Sequence, residues 1–252
     1  MKGEAVGVGE VKRLEILGVP IDMVTGAGAM EVFLGLMRGK SCSLIVTPNS
    51  EIVLNATCDK GLFEIIESAD LIIPDGIGLV HASKILKNPL KERVTGIDFL
   101  SDILGYLEEN GKSIYLLGSK PGVAELAAAK MVEKHPGLIV AGTHHGYFDH
   151  AGEGAVVDGI NVSGAEFLCV AMGSPRQEKF IQSYRHEFSN VQAAMGVGGS
   201  LDVWAGTLKR APDFYRKCGL EWLYRVFQEP ARIKRVVKLP LFLLKVMFYK
   251  SK

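Results

Sequence analysis

Neither a paired-cysteine motif nor an apolar run long enough to cross a bilayer occurs in this 252-residue chain. The four cysteines, Cys42, Cys58, Cys169 and Cys218, are scattered. This argues against a disulfide scaffold or a zinc ribbon and for a reducing cytoplasm, with Cys169 a core residue in an apolar run. No stretch approaches the roughly 20 apolar residues of a spanning helix. Residues 1–13 are Gly-rich and charged and lack an apolar h-region, so no secretory signal is expected. No internal repeat or low-complexity block is present. A GxGxxG fingerprint followed by an acidic residue is missing, which counts against a dinucleotide-dependent oxidoreductase, and so is a P-loop.

What is present is a globular composition, 48% apolar and 23% charged, in a length suited to one large α/β domain. The net charge of +1 conceals an asymmetry. From Thr207 to Lys252 there are twelve Lys/Arg against three acidic residues, a net +9, so the preceding 206 residues carry −8. Such a tail expects an anionic partner. Its cations are interleaved with long aliphatics, which argues against nucleic acid.

Apolar strand-like runs alternate with amphipathic helical stretches. Strands are expected at Leu14–Val19, Ser43–Val46, Leu71–Ile73, Ser113–Leu117, Leu138–Gly142, Phe167–Ala171 and Val191–Met195. Helices are expected between them, among them Gly26–Met37, Gly96–Glu109 and the Ala-rich Val123–Lys134. This alternation predicts an α/β fold with a mainly parallel, Rossmann-like sheet and helices on both faces. A helical C-terminal appendage would follow, with residues 1–206 as the core and 207–252 as the appendage.

Several loops follow strands and so belong at the carboxyl edge, where open α/β sheets bind ligands. Gly118–Gly122 and Gly196–Ser200 could offer N–H groups to a phosphate, or could be ordinary tight turns. Thr47-Pro-Asn-Ser-Glu51 is either a helix start capped by Thr47 or Asn49, or a polar cluster for a ligand. Asp75 sits in a Pro/Gly turn after a strand, placed either as a turn residue or as a general base. His144 and His145, adjacent on an extended segment, should point to opposite faces, which argues against joint zinc chelation; Tyr147 beside them could stack on a base. Arg176 at a helix start opposes the helix dipole, a conflict that an anionic ligand, or an ion pair with Glu178 or another acidic group, would relieve. In the tail, the aromatic, aliphatic and cationic residues of Glu221–Phe227 and Ala231–Lys238 precede the run Leu241–Tyr249. They could pack on the body with solvated cations or lie in a membrane interface. Their concentration in one terminal piece favours the interface.

In order along the chain, Thr47-Pro-Asn-Ser-Glu51, Pro74-Asp-Gly-Ile-Gly78, Arg93-Val-Thr-Gly-Ile-Asp98, Gly142-Thr-His-His-Gly-Tyr-Phe148, Gly173-Ser-Pro-Arg-Gln-Glu178, Gly196-Val-Gly-Gly-Ser-Leu-Asp202 and Gly219-Leu-Glu-Trp-Leu-Tyr-Arg225 resemble the WecG/TagA/CpsF glycosyltransferase family. The resemblance runs from about Leu14 to beyond Arg235 and is closest to the TagA branch of wall teichoic acid synthesis. It implies an inverting enzyme that moves N-acetylmannosamine from its UDP derivative, in β-1,4 linkage, onto N-acetylglucosamine carried on undecaprenyl diphosphate. It implies Asp75 as the base, with Thr47 as a further catalytic residue and Asn49 and Arg93 in the pocket. UDP would meet Tyr147, Gln177, the Gly198-Gly199 turn and Asp202. Arg225, Arg232 and Arg235 of a membrane-docking appendage would face the diphosphate. No cofactor is expected, since no DxD-like metal station occurs in this set. The expected partners are the UDP-sugar donor, the lipid-diphosphate acceptor and an anionic membrane surface on the cytoplasmic side, where the protein would be peripheral. Self-association into a homo-oligomer is compatible with the sequence. Two alternatives stand beside this reading: another UDP-sugar donor, and a membrane-associated nucleotide-binding protein without chemistry.

Overall fold

A computed structural model describes residues 11–229 and 238–249. Its centre is a six-stranded sheet in which every paired neighbour runs parallel, built from β3 (Ser43–Val46), β4 (Leu71–Ile72), β5 (Ser113–Gly118), β6 (Ile139–His144), β7 (Phe167–Ala171) and β8 (Ala193–Gly196). The spatial order is β4-β3-β8-β7-β5-β6. β7, Phe-Leu-Cys-Val-Ala, is buried at every position. Such an unbroken apolar run belongs to a strand covered on both faces.

The two faces can be read from the strand alternation. Ile114, Leu116, Phe167, Cys169, Ala193 and Met195 point to one side. There they meet α1 (Gly26–Leu36), α5 (Gly96–Glu109) and α6 (Val123–Lys134). Leu117, Leu168, Val170 and Ala194 point to the other. That side is covered by α2 (Ser50–Ala56), α3 (Lys60–Glu67), α4 (Ile77–Ile85), α7 (Glu153–Ser163) and α8 (Arg176–Tyr184). Thr25, Asn49, Asp59 and Thr95 each accept a backbone N–H at a helix start, the arrangement that favours these residue types as caps.

The first expected strand differs from expectation. Leu14–Val19 is not one strand of the main sheet. It divides into β1 (Arg13–Ile16) and β2 (Val19–Asp22), a separate antiparallel hairpin. The break lies at Leu17-Gly18, both with positive φ, the two-residue turn that suits a twisted hairpin. The buried Asp22 fixes the hairpin to the sheet, accepting from Arg13 Nε at 2.9 Å and from Ile72 N at 2.7 Å.

Because all six strands run the same way, their following loops gather at one edge. The chain leaves β5 toward β6 and leaves β7 in the opposite direction, toward β8, although β5 and β7 are neighbours. This reversal falls at the carboxyl ends of β5 and β7, the kind of position at which open α/β sheets bind ligands. Gly118 lies there with φ 138°, and any side chain on it would collide with the Ala171 backbone.

Three short helices follow β8: α9 (Ser200–Trp204), α10 (Asp213–Lys217) and α11 (Glu221–Gln228). A last helix, α12 (Lys238–Phe248), packs on α2 and α4. Pro240 falls in its first described turn. The expected apolar run divides between two surroundings. Phe242 and Val246 are buried in the main core, whereas Leu241, Leu244, Met247 and Phe248 are exposed. No described helix is long and apolar enough to cross a membrane. Phe242 is 0% exposed, so Phe242→Ala should cost about 3–5 kcal/mol in chemical denaturation. Leu244→Ala, at 52% exposure, should stay within about 0.5 kcal/mol. Equal effects would mean that α12 does not share the core.

Candidate active site

A cleft of about 250 Å³ lies at the β4 and β3 end of the carboxyl edge. Asp75 and Gly76, after β4, and Asn49 at the start of α2 line it. Arg93, Thr95 and Gly96, leading into α5, form a second side. Glu221, Trp222 and Arg225 of α11 close it from the C-terminal region, together with Leu239 of α12. Approach of this region is close: Gly219, at φ 71°, leaves no room for a side chain against Ile77.

Backbone bonds carry the Asp75 turn: Ile73 N donates to Val46 O at 2.9 Å and Asp75 N to Pro48 O at 3.1 Å. Asp75 opens onto the cleft and is enclosed by protein on its other sides. Burial pushes its carboxyl up to about 6 from an ordinary value of 3.8. The positive charges of Arg225 and Arg93 oppose this rise, the negative charge of Glu221 supports it, and the Gly96 N–H opposes it. A carboxylate with a value near 6 is a stronger base than an ordinary one and is still mostly ionised at neutral pH.

Asn49 meets both readings of its motif. Its Oδ1 caps α2, accepting from Glu51 N at 2.9 Å and Ile52 N at 3.1 Å, and the residue also lines the cleft. Thr47 is buried just behind, and its hydroxyl donates to Gly196 O at 3.0 Å, tying the end of β3 to the end of β8. Arg93 is in the cleft, paired with Glu221 at 2.9 Å. Arg225 is in the cleft too. Arg232 and Arg235 lie outside the described residues.

The remaining expected residues lie further along the edge, on the turns after β6, β7 and β8. Gln177 is 2% exposed. Its Oε1 accepts from Gly198 N at 3.0 Å and its Nε2 donates to Glu178 Oε1 at 2.8 Å. Gly199 is the N-cap position of α9. Asp202 accepts from Ser119 Oγ at 3.0 Å. Tyr147 stands out at 64% exposure on the loop after β6. That loop is pinned where Gly146 N donates to Ser119 O at 2.9 Å. Val197 and Ser200 border the Asp75 cleft from this side, so the two regions adjoin.

Two local expectations need correction. Among the described residues, Arg176 does not form an ion pair with Glu178. It donates to Gly146 O at 2.8 Å and Phe148 O at 2.6 Å and lies 4.8 Å over the Phe148 ring, so backbone carbonyls and an aromatic face satisfy the charge. The His144 and His145 rings do not diverge to opposite faces but sit 4.6 Å apart, because β6 ends at His144 and the chain turns there. Glu221, Trp222 and Ser119 were not singled out from the sequence. The spacing of Glu221 and Arg225, four residues apart on a helix and thus on one face, was the available signal.

Comparison with known proteins bears on this geometry. The pattern of the glycosyl transferase WecG/TagA/CpsF family matches residues 14–252. A protein of Staphylococcus aureus strain MW2, called N-acetylglucosaminyldiphosphoundecaprenol N-acetyl-beta-D-mannosaminyltransferase, is 37% identical over 242 residues, covering 95% of this chain and 94% of its own length. Proteins of the same description from strains MRSA252 and NCTC 8325 match with the same identity and coverage.

The raised carboxyl of Asp75 has a consequence for stability. Its folded-state value lies above the unfolded one, so its contribution is fully present below about pH 3.8 and is lost as pH rises through about 6. Asp75→Asn escapes that loss. The melting temperature of Asp75→Asn minus that of the unaltered protein should therefore grow between pH 4 and pH 7. A difference that is flat or shrinks would show that the carboxylate is not strained by burial.

Proposed function

The chain belongs to the WecG/TagA/CpsF glycosyltransferase family, and from that premise we propose that it transfers N-acetylmannosamine from UDP-N-acetylmannosamine to undecaprenyl-diphosphate-linked N-acetylglucosamine, forming a β-1,4 linkage with inversion. The observation that carries this reading is Asp75, a carboxylate raised to about 6 in a cleft that also holds Arg93 and Arg225. Asp75 takes the proton of the attacking hydroxyl. The hydroxyl oxygen bonds to the anomeric carbon from the face opposite UDP. The bond from that carbon to the diphosphate oxygen breaks, and its electron pair leaves with UDP.

The nucleotide binds at the carboxyl ends of β5 and β7, where the strand order reverses. Tyr147 offers an exposed ring for stacking on the base, and the Gly198-Gly199 turn, Gln177 and Asp202 belong to the turns after β7 and β8. Thr47 holds the active-site loop in register through Gly196, and Asn49 faces the substrates. Arg225, with Arg232 and Arg235 from the segment outside the described residues, supplies positive charge to the departing diphosphate. A metal is not needed in this scheme.

Residues 1–206 act as the nucleotide-sugar-binding core and 207–252 as the appendage that completes the site. This division is one of role, since Phe242 of the appendage joins the core. The exposed Leu241, Leu244, Met247 and Phe248 of α12 and the +9 charge of the tail suit an anionic interface. The protein would then sit peripherally on the cytoplasmic face of the membrane and reach its lipid-borne acceptor there.

Incubation with a panel of UDP-sugars and a lipid-diphosphate-N-acetylglucosamine analogue should give a disaccharide from UDP-N-acetylmannosamine, undiminished by EDTA. Asp75→Asn should bind UDP normally and turn over about 10²-fold or more slowly. A strict requirement for added Mg²⁺ or Mn²⁺ would assign leaving-group stabilisation to a metal. Selective use of another UDP-sugar would reassign the donor.

A further inference from the structure

Arg93 and Glu221 meet across the cleft into which Asp75 opens. Arg93 comes from the loop before α5, and Glu221 is the first residue of α11, where a negative charge suits the helix N-terminus. Their side chains are 19% and 18% exposed and their charged atoms are 2.9 Å apart. Arg225 lies one turn further along α11 and lines the same cleft. Among the described residues, no cation comes within ion-pair distance of Asp75. Two guanidinium groups thus act on this carboxylate from a distance, and one of them is held by a second carboxylate.

We propose that Glu221 is a positioning residue for the transfer reaction, holding the Arg93 guanidinium across the cleft so that it does not pair with Asp75 and Asp75 stays available to the acceptor hydroxyl. This inference rests on the reading of Asp75 as the base. An arginine paired directly with a carboxylate makes it a weak base, because the ion pair must be broken before a proton is accepted. Glu221 opposes this in two ways: it binds the guanidinium, and its own negative charge favours the protonated form of Asp75. The other charged groups around the cleft do not duplicate it. Arg225 acts in the opposite sense. Glu51 of α2 is paired with Lys238 of α12 at 3.1 Å. The Gly96 N–H, at the start of α5, favours the ionised form. Since α11 lies in the C-terminal region, the same contact makes the basicity of Asp75 depend on how that region is seated.

The test is the pH dependence of kcat/KM for the full-length protein with UDP-N-acetylmannosamine and a water-soluble N-acetylglucosamine-diphosphate analogue. The acid limb of that profile reports the base in the free enzyme. Glu221→Gln should move the limb down by about one pH unit or more and reduce turnover several-fold near neutrality. The double variant Arg93→Gln/Glu221→Gln should move the limb back up, since the released cation is then gone. A contact that merely fastens α11 would change the melting temperature and leave the limb in place. Should Glu221→Gln fail to fold, Glu221→Asp keeps the charge with a shorter reach and should shift the limb in the same direction by less. An unmoved limb in a folded variant overturns the proposal. Asp75→Asn, assayed alongside, separates the two readings. If it is nearly inactive while the limb of Glu221→Gln is unmoved, only the role of Glu221 fails. If it turns over normally, Asp75 is not the base and both readings fail.

Discussion

A carboxylate enclosed by protein with two guanidinium groups nearby would ordinarily pair with one of them, become fully ionised and lose most of its basicity. Asp75 avoids this. Burial raises its carboxyl, and the arginines of the cleft temper that rise without cancelling it. Arg93 is occupied by Glu221, and Arg225 lines the same cleft and acts on Asp75 through its charge alone. The site therefore keeps a proton acceptor and positive charge within one small volume, which a transfer to an alcohol with a diphosphate leaving group requires.

That arrangement depends on the parallel sheet. Because every strand of the sheet has the same direction, the turns after β4, β3, β8, β7, β5 and β6 lie side by side. Asp75 stands at one end of this row and Tyr147 at the other. Crosslinks among these turns hold the row in register: Thr47 to Gly196, Gln177 to Gly198, Ser119 to Asp202, and Arg176 to the loop carrying Tyr147. These are buried or partly buried bonds between segments far apart in sequence, and breaking one would leave a polar group without a partner. The C-terminal helices then close the row at its Asp75 end, anchored by Phe242 and Val246 in the core.

The sheet strands and the principal turns were legible because each is a local pattern. An apolar run such as Phe167–Ala171 ends at a polar or glycine-rich loop, and that boundary is visible without any partner. Asp75 was legible for the same reason, as a carboxylate immediately after a strand. The hairpin at Leu14–Val19 was not, since a single positive-φ turn at Leu17-Gly18 converts one apparent strand into two. Helix α7 is faint in the sequence: Gly154 and Gly159 weaken its propensity, and burial of Val156, Val157 and Ile160 against the sheet supplies what the local sequence lacks. The roles of Arg176 and Glu221 were hidden because they are tertiary. Arg176 faces carbonyls 28 and 30 residues away, and Glu221 meets Arg93 only when α11 folds back over the cleft. The tail was half legible. Its apolar and cationic residues were evident, but the division of α12 into a core face and an exposed face follows from its packing on α2 and α4.

The basicity of Asp75, held up by its enclosure, is tested most directly by following its carboxyl carbon through a pH titration, with ¹³C-labelled aspartate in the intact protein and Asp75→Asn to assign the signal. The midpoint is expected near 6. A midpoint at the ordinary aspartate value of 3.8 would contradict it.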